Sequence, residues 1–461
     1  MNHGTPLEGS CRLLDKALTT SVFSWQEIVR MTIPFILDSL SFTLLGTLIT
    51  ALISKNGESS IAAVSLINPI ANLIICLFNG IGAGGTVVVA RCMGARDRSR
   101  TQSAVGMILW LTIVVGVLTC VPFLCFPEPV LKLLYPTAAP EVMEKAVVFF
   151  VGNVWSIVFF SIYTAAFSIL RGMGESKKCL VLTIIINGAY LLFSILFLNV
   201  LNLDIRGSVM ALLLARILGA LCAVLTLLFW KPIVPMVPKA LLRFQKSLLR
   251  DTLHISVPFA LEQIFVSLGG VVSQTFMIHL GTTALAVHAV ANSVLSLVTC
   301  ASGAAANLSV TTVGRCIGAG CHDGAMLYGK RSNQIARLLV VLSALIVYPL
   351  LGLILRMYNP TQEAEEIVRQ LLLISLPALI LFFPASNTMP GTMRAAGDTI
   401  FPSIATLIIS WVVNIGLGYV MAISLGLGLW GIWIATWGSW AVRWAVFTLR
   451  FRQKGILLCS N

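Results

Sequence analysis

The chain has 461 residues, 57% of them hydrophobic and 11% charged, and a mean hydropathy of +0.93. A soluble domain carries about a quarter charged residues, so a soluble fold is excluded. The formal net charge of +13 would suit a nucleic-acid partner, but the basic residues fall in alternate loops between apolar runs, which marks membrane topology and no nucleic acid.

Apolar runs such as 109–126, 147–170 and 338–355 approach the roughly 20 residues that cross a hydrocarbon core of about 30 Å. They lack period-2 alternation and are too long for barrel strands, so the spans are helices. Twelve are predicted, over 30–53, 61–88, 104–126, 146–170, 179–201, 208–230, 254–279, 284–313, 336–356, 367–392, 400–424 and 427–449. The fold class is therefore an all-α polytopic membrane protein.

The first 25 residues are polar and contain no apolar core of a signal peptide, so insertion is assigned to the first span. That span brings Pro34 and Asp38. The second and eighth spans are long, which implies tilt or overhang, and the second carries Asn68. Arg216 interrupts the sixth, where it either pairs with an acid or snorkels outward. A basic segment, 231–251, links two halves; its Leu241, Leu242, Phe244, Leu248 and Leu249 suggest an amphipathic helix on the membrane surface, against a plain solvated linker. The seventh span holds Pro258, Glu262, Gln263, Ser267 and Gln274, the eighth His288 and Asn292, and the tenth Asn387. Trp430, Trp433, Trp437, Trp440 and Trp444 share one face of the twelfth, as packing or lipid contact or as a cation–π surface.

Basic residues cluster at Arg91–Arg100, Arg171–Lys178, Lys231–Arg250, Lys330–Arg337 and Arg450–Lys454, and are sparse in the other loops. By the positive-inside rule both termini face the cytoplasm of a cell inner (plasma) membrane. The eleven cysteines show no CxxC or Cys/His zinc spacing and read as reduced packing residues, so no metal is expected.

The second half repeats the first. Pro34, Phe35 and Asp38 recur as Pro258, Phe259 and Glu262, an offset of 224 (258 − 34), and Gly57, Ala62 and Asn68 recur as Gly281, Ala286 and Asn292. Arg91-Cys92 matches Arg315-Cys316, while Arg171, Gly174 and Glu175 match Arg394, Gly397 and Asp398 one residue short of that offset. A six-span unit starts and ends on one side of the membrane. Two such units make twelve helices in two six-helix bundles related by a pseudo-two-fold along the membrane normal, an arrangement in which the halves rock about a substrate site. The boundaries are a terminal segment 1–29, bundles 30–230 and 252–450, the linker 231–251, and a tail 451–461.

Asp38 and Glu262 are read as the acids deep inside spans, each about 12 Å beyond the last basic or His residue at 1.5 Å per residue. Intramembrane acids are costly and imply function, here ion coupling or substrate binding; the alternative is a structural hydrogen bond. Asn68 and Asn292 are either interhelical glue or cavity lining. Gln263, Ser267, Gln274 and Asn387 are lesser candidates, and His288 is a proton relay or a satisfied core histidine.

These residues together resemble the multidrug and toxic compound extrusion (MATE) family over nearly the whole length. The likeness rests on Pro34 and Pro258 opening the first and seventh spans, the Gly-Ala loops at 94–95 and 318–319, and the turns Arg171-Gly-x-Gly-Glu and Arg394-x-x-Gly-Asp. It implies export of small, cationic amphiphilic compounds by antiport against H⁺ or Na⁺, with no cofactor, by a monomer in the bilayer. Where that family commonly carries acids this chain has Ile49 and Val266, so the coupling role does not transfer by motif; Asp38 and Glu262 offer carboxylates on the expected faces of both helices, displaced toward the cytoplasm. A lipid-linked oligosaccharide or polysaccharide flippase of the same superfamily is the alternative. The Arg-Gly turns lack the preceding strand of a nucleotide site. No nucleophile or metal cluster marks an enzyme, and no re-entrant filter marks a channel.

Overall fold

The structure is a computed structural model that describes residues 22–53, 58–136, 140–201, 203–230, 245–358 and 362–458, with backbone alone for 25, 42–53, 58–62, 278, 282, 357, 358, 363 and 454–458. The described residues are helical, and none forms a strand. The first repeat supplies α1 (Trp25–Ile53), α2 (Glu58–Gly94), α3 (Arg98–Cys125), a short α4 (Pro127–Leu134), α5 (Pro140–Gly172), α6 (Ser176–Ser194) and α7 (Asp204–Phe229). The second supplies α8 (Lys246–His279), α9 (Thr282–Gly318), α10 (His322–Val347), a short α11 (Leu351–Tyr358), α12 (Gln362–Leu381), α13 (Phe383–Ala396), α14 (Ile400–Ile408) and α15 (Gly428–Leu458). Each predicted span lies on helix over most of its length, with breaks within the ninth and tenth. The predicted linker lies largely outside the described residues, apart from its last residues, which open α8.

The repeat reaches detail that hydropathy does not register. Helices α4 and α11 occupy matched positions, and each buries one leucine completely, Leu131 and Leu355, while Leu133 and Leu353 stay exposed. A short helix with one buried edge suits a membrane interface. It also corrects the ninth predicted span, which ran on through α11 although α10 ends at Val347. The tenth breaks at Phe382, because Pro384 enters the first turn of α13 without an N–H to continue α12. A wide π turn ends α6 at Ile195–Val200 and recurs at Val420–Ser424.

Pro34 and Pro258 do not open their helices. They lie inside α1 and α8, which begin at Trp25 and Lys246. Helices α2 and α9 run for 37 residues each, about 55 Å at 1.5 Å per residue, far more than a bilayer core requires.

Two compact units result: one of 1–40, 93–96 and 261–461, and one of 41–92 and 97–260. The boundaries cut α1 after Leu40 and α8 after Ala260, close behind the two prolines. In the unit built mainly from the second repeat, Phe23 meets the Tyr328 ring edge-on at 5.6 Å and lies 5.5 Å from the Arg315 guanidinium. Its core gathers Val294, Val298, Leu371, Leu372, Leu379 and Trp433. In the other unit, Gly80 and Gly84 of α2 face Ala260 and Ser256 of α8 so closely that a Cβ on either would collide. Small residues one turn apart allow such close approach of membrane helices. The core there is Phe78, Phe149, Phe150, Val154 and Ile157.

Candidate functional site

Burial sorts the helices into those that face lipid and those that do not. Helix α3 exposes Trp110, Val114, Val117, Leu118 and Val121. Between Ala63 and Gly94, by contrast, α2 exposes only Ser65, Asn68, Pro69, Asn72 and Asn79. The amides at 68, 72 and 79 recur at near-whole numbers of turns, so they form one stripe. Polar side chains on a membrane helix are costly against hydrocarbon, which favours a polar environment for this face. Helix α9 presents the same stripe at the matched positions: Asn292 and Ser296 are exposed, and the rest of its exposed residues are Thr283, Ala286 and Ala289. Asn68 and Asn292 therefore lie on exposed polar faces of separate units, and Asn72, Asn79 and Ser296 belong with them. Asn292 holds His288 at 2.6 Å through their side chains.

The Glu262 carboxylate is 4% exposed and forms an ion pair with Arg394, itself 8% exposed. Arg443 of α15 lies within electrostatic reach of the same carboxylate and donates to Ser410 Oγ at 2.6 Å. Glu262 is thus gripped by one guanidinium and faced by a second. To accept a proton it must first release Arg394. Asp38 is buried to the same degree, at 6% exposed, in the same unit. Arg443 went unrecognised in the sequence because it sits inside the tryptophan stripe of α15, where one cation among apolar residues reads as noise. Arg394 was visible only as part of a turn. That turn is a helix C-cap: Gly397 has φ 110° and the Asp398 N–H reaches back to Met393 O at 2.9 Å. Gly174 (φ 69°) and Glu175 close α5 in the same way, which is the Schellman pattern and no phosphate loop.

The remaining candidates disperse. Gln263 and Ser267 are half-buried and Gln274 is exposed. Asn387 donates to Ser302 Oγ at 3.4 Å. His288 stands edge-on to Trp433 at 5.7 Å. The middle of the tryptophan stripe packs inward: Trp433 is 2% exposed, Trp437 donates to Ser375 Oγ at 3.0 Å, and Trp440 meets the Phe383 ring at 5.2 Å, while Trp444 is exposed. Among the described residues, Arg216 finds no acid. It donates to Ser156 Oγ at 2.6 Å and lies 4.7 Å over the Phe160 ring.

A duplicated bundle of membrane helices with internal polar faces is the architecture of a secondary transporter rather than of an enzyme. The MatE family model matches twice, over residues 34–196 and 258–420, so the two matches stand one repeat offset apart. The chain belongs to the MATE family of multi-pass multidrug efflux transporters. It is 28% identical over 400 residues to the probable multidrug resistance protein YoeA of Bacillus subtilis, covering 82% of each chain. To the probable multidrug resistance protein NorM of Thermotoga maritima it is 25% identical, covering 89% of this chain and 88% of that one. Among solved structures, a MATE protein in complex with MaL6 superposes with a TM-score of 0.88 at 21% identity, over 94% of this chain and 97% of the other. A Pyrococcus furiosus transporter, described as having a binding pocket of reverse polarity that suggests a different function, superposes with a TM-score of 0.85 at 21% identity, over 94% and 96%.

Proposed function

We propose that the protein exports small organic molecules from the cytoplasm by antiport against H⁺ or Na⁺. It works as a monomer in the inner (plasma) membrane, with both termini cytoplasmic and alternating access between two bundles. The observation that carries this reading is the polar stripe repeated on α2 and α9, since a solute path through each bundle needs a face that is wet inside a membrane helix. Alternating access is supported by the N-terminal parts of α1 and α8, each followed closely by the unit boundary after an interior proline and each grouped with the unit built mainly from the other repeat. Those segments are the gates that rocking would release.

Asp38 and Glu262 carry the coupling. Glu262 exchanges Arg394 for a proton or Na⁺, which links ion uptake to the freeing of a buried cation. Efflux from proteoliposomes, driven separately by a proton and by a sodium gradient, identifies the ion. Asp38→Asn and Glu262→Gln should each lower gradient-driven efflux at least tenfold while facilitated exchange at zero gradient persists. Full gradient-driven efflux in both variants would remove the acids from the coupling step.

A further inference from the structure

The sequence repeat places Arg216 in a slot that the other unit fills with tryptophan. Arg216 matches Trp440 (440 − 216 = 224), and Phe160 matches Phe383 at the shorter local offset (383 − 160 = 223). Both pairs make the same contact, Trp440 against the Phe383 ring at 5.2 Å and the Arg216 guanidinium over the Phe160 ring at 4.7 Å. Packing at this slot therefore needs a flat group and does not need a charge.

Among the described residues, no acid of its unit pairs with the Arg216 charge. Arg216 lies midway along α7, which runs Asp204–Phe229, about 18 Å from either end at 1.5 Å per residue. The acids of residues 41–92 and 97–260 are Glu58, Asp97, Glu128, Glu141, Glu144, Glu175, Asp204 and Asp251, all at helix ends or in loops. Of five guanidinium donors, Nη1 is used by Ser156, whose own hydroxyl is committed to Asn153 O at 2.6 Å. The Tyr190 phenol is within electrostatic reach. Phe160 continues into a ladder with Tyr163 at 6.4 Å and Tyr163 with Phe167 at 5.7 Å. A desolvated guanidinium fork beside aromatic faces is suited to a carboxylate, sulfonate or phosphate on an aromatic body.

We infer that the cargo is an amphiphilic organic anion whose acidic group pairs with Arg216 while its apolar body lies along the Phe160–Tyr163–Phe167 ladder. The organic cation implied by family resemblance would meet a like charge there, with no mid-span acid in the same unit. This inference rests on the export reading for its physiological sense, but binding is separable from transport.

The test measures binding to the purified full-length protein in detergent by fluorescence anisotropy, with carboxyfluorescein and naphthalenesulfonate as anionic probes and ethidium as the cation. Arg216→Trp installs the tryptophan of the sister repeat and removes only the charge; Arg216→Lys keeps a charge without the fork. Anion affinity should fall at least tenfold in Arg216→Trp, recover in part in Arg216→Lys, and fall severalfold in Ser156→Ala, with ethidium unchanged or tighter in Arg216→Trp. The monodisperse elution of each variant shows that it folds, and Ser156→Ala keeps the test decisive where Arg216→Trp does not. Tight ethidium binding with no anion binding, or anion binding indifferent to both Arg216→Trp and Ser156→Ala, would overturn the inference. Arg216-dependent anion binding without gradient-driven efflux would instead overturn the export reading and leave this one standing.

Discussion

The two units are built from one repeat and treat buried charge in opposite ways. In the unit containing α9 to α15, the Glu262 carboxylate meets Arg394 and stands near Arg443, and Asp38 is also buried in that unit. In the unit containing α2 to α7, Arg216 rests on an aromatic ring and a serine hydroxyl with no acid in its spans. The lesson is that duplication fixes where helices pack and leaves polarity free to diverge. The ring-on-ring contact of Trp440 with Phe383 and the cation-on-ring contact of Arg216 with Phe160 are one contact with two electrostatic outcomes.

The strongest way to break this comparison is to remove one arginine from each unit. Arg394→Gln strands the Glu262 carboxylate in a buried setting, and breaking a buried pair by one partner costs about 3–5 kcal/mol. Thermal unfolding in detergent should show that loss, and the double variant Arg394→Met/Glu262→Gln should regain most of it. Arg216→Trp should leave the unfolding temperature nearly unmoved, because no partner is stranded. Equal losses in the two single variants would mean that Arg216 is held as tightly as the ion pair.

A smaller effect sharpens the comparison at the seams. Gly80 has no room for a Cβ against the backbone of Ala260, whereas its repeat mate Ala304 is fully buried with its methyl in place. Overpacking a rigid seam costs about 1–3 kcal/mol. Gly80→Ala should therefore destabilise by that amount through overpacking, while Ala304→Gly should cost about 1–2 kcal/mol, the helix penalty of glycine plus a lost buried methyl, with no clash. Efflux should follow the Gly80 change if the N-terminal part of α8 is a gate.

Twelve helices, the duplication and the buried acids were legible in the sequence, because apolar length and repeat register are local properties. The short α4 and α11, the break before Pro384 and the early starts of α1 and α8 were blurred. Hydropathy averages over an interfacial helix, and an interior proline looks like a start signal. At the site, Asn68 and Asn292 were found through the repeat, but Asn72 and Asn79 were passed over although their spacing from Asn68 already placed them on one face. The pairing of Glu262 with Arg394 spans 132 residues, and no local pattern reports it. Arg443 was masked by the tryptophans around it.

The smallest effect concerns that tryptophan stripe, which has no counterpart in the first repeat: positions 206, 209, 213, 216 and 220 there hold Arg206, Val209, Leu213, Arg216 and Ala220. Trp437 donates its indole N–H to Ser375 Oγ at 3.0 Å, and that hydroxyl passes its own proton to Leu371 O at 2.6 Å. Trp437→Phe removes the donor and keeps an aromatic filler. The serine remains satisfied through Leu371, so the loss is that of one ordinary hydrogen bond, about 0.5–1.5 kcal/mol. If the stripe is packing, the unfolding temperature drops slightly and ethidium affinity does not change. A tenfold loss of ethidium binding in Trp437→Phe, with stability intact, would make this face of α15 a cation-binding surface and would return the electrostatic contrast between the units to a contrast between two cargo sites.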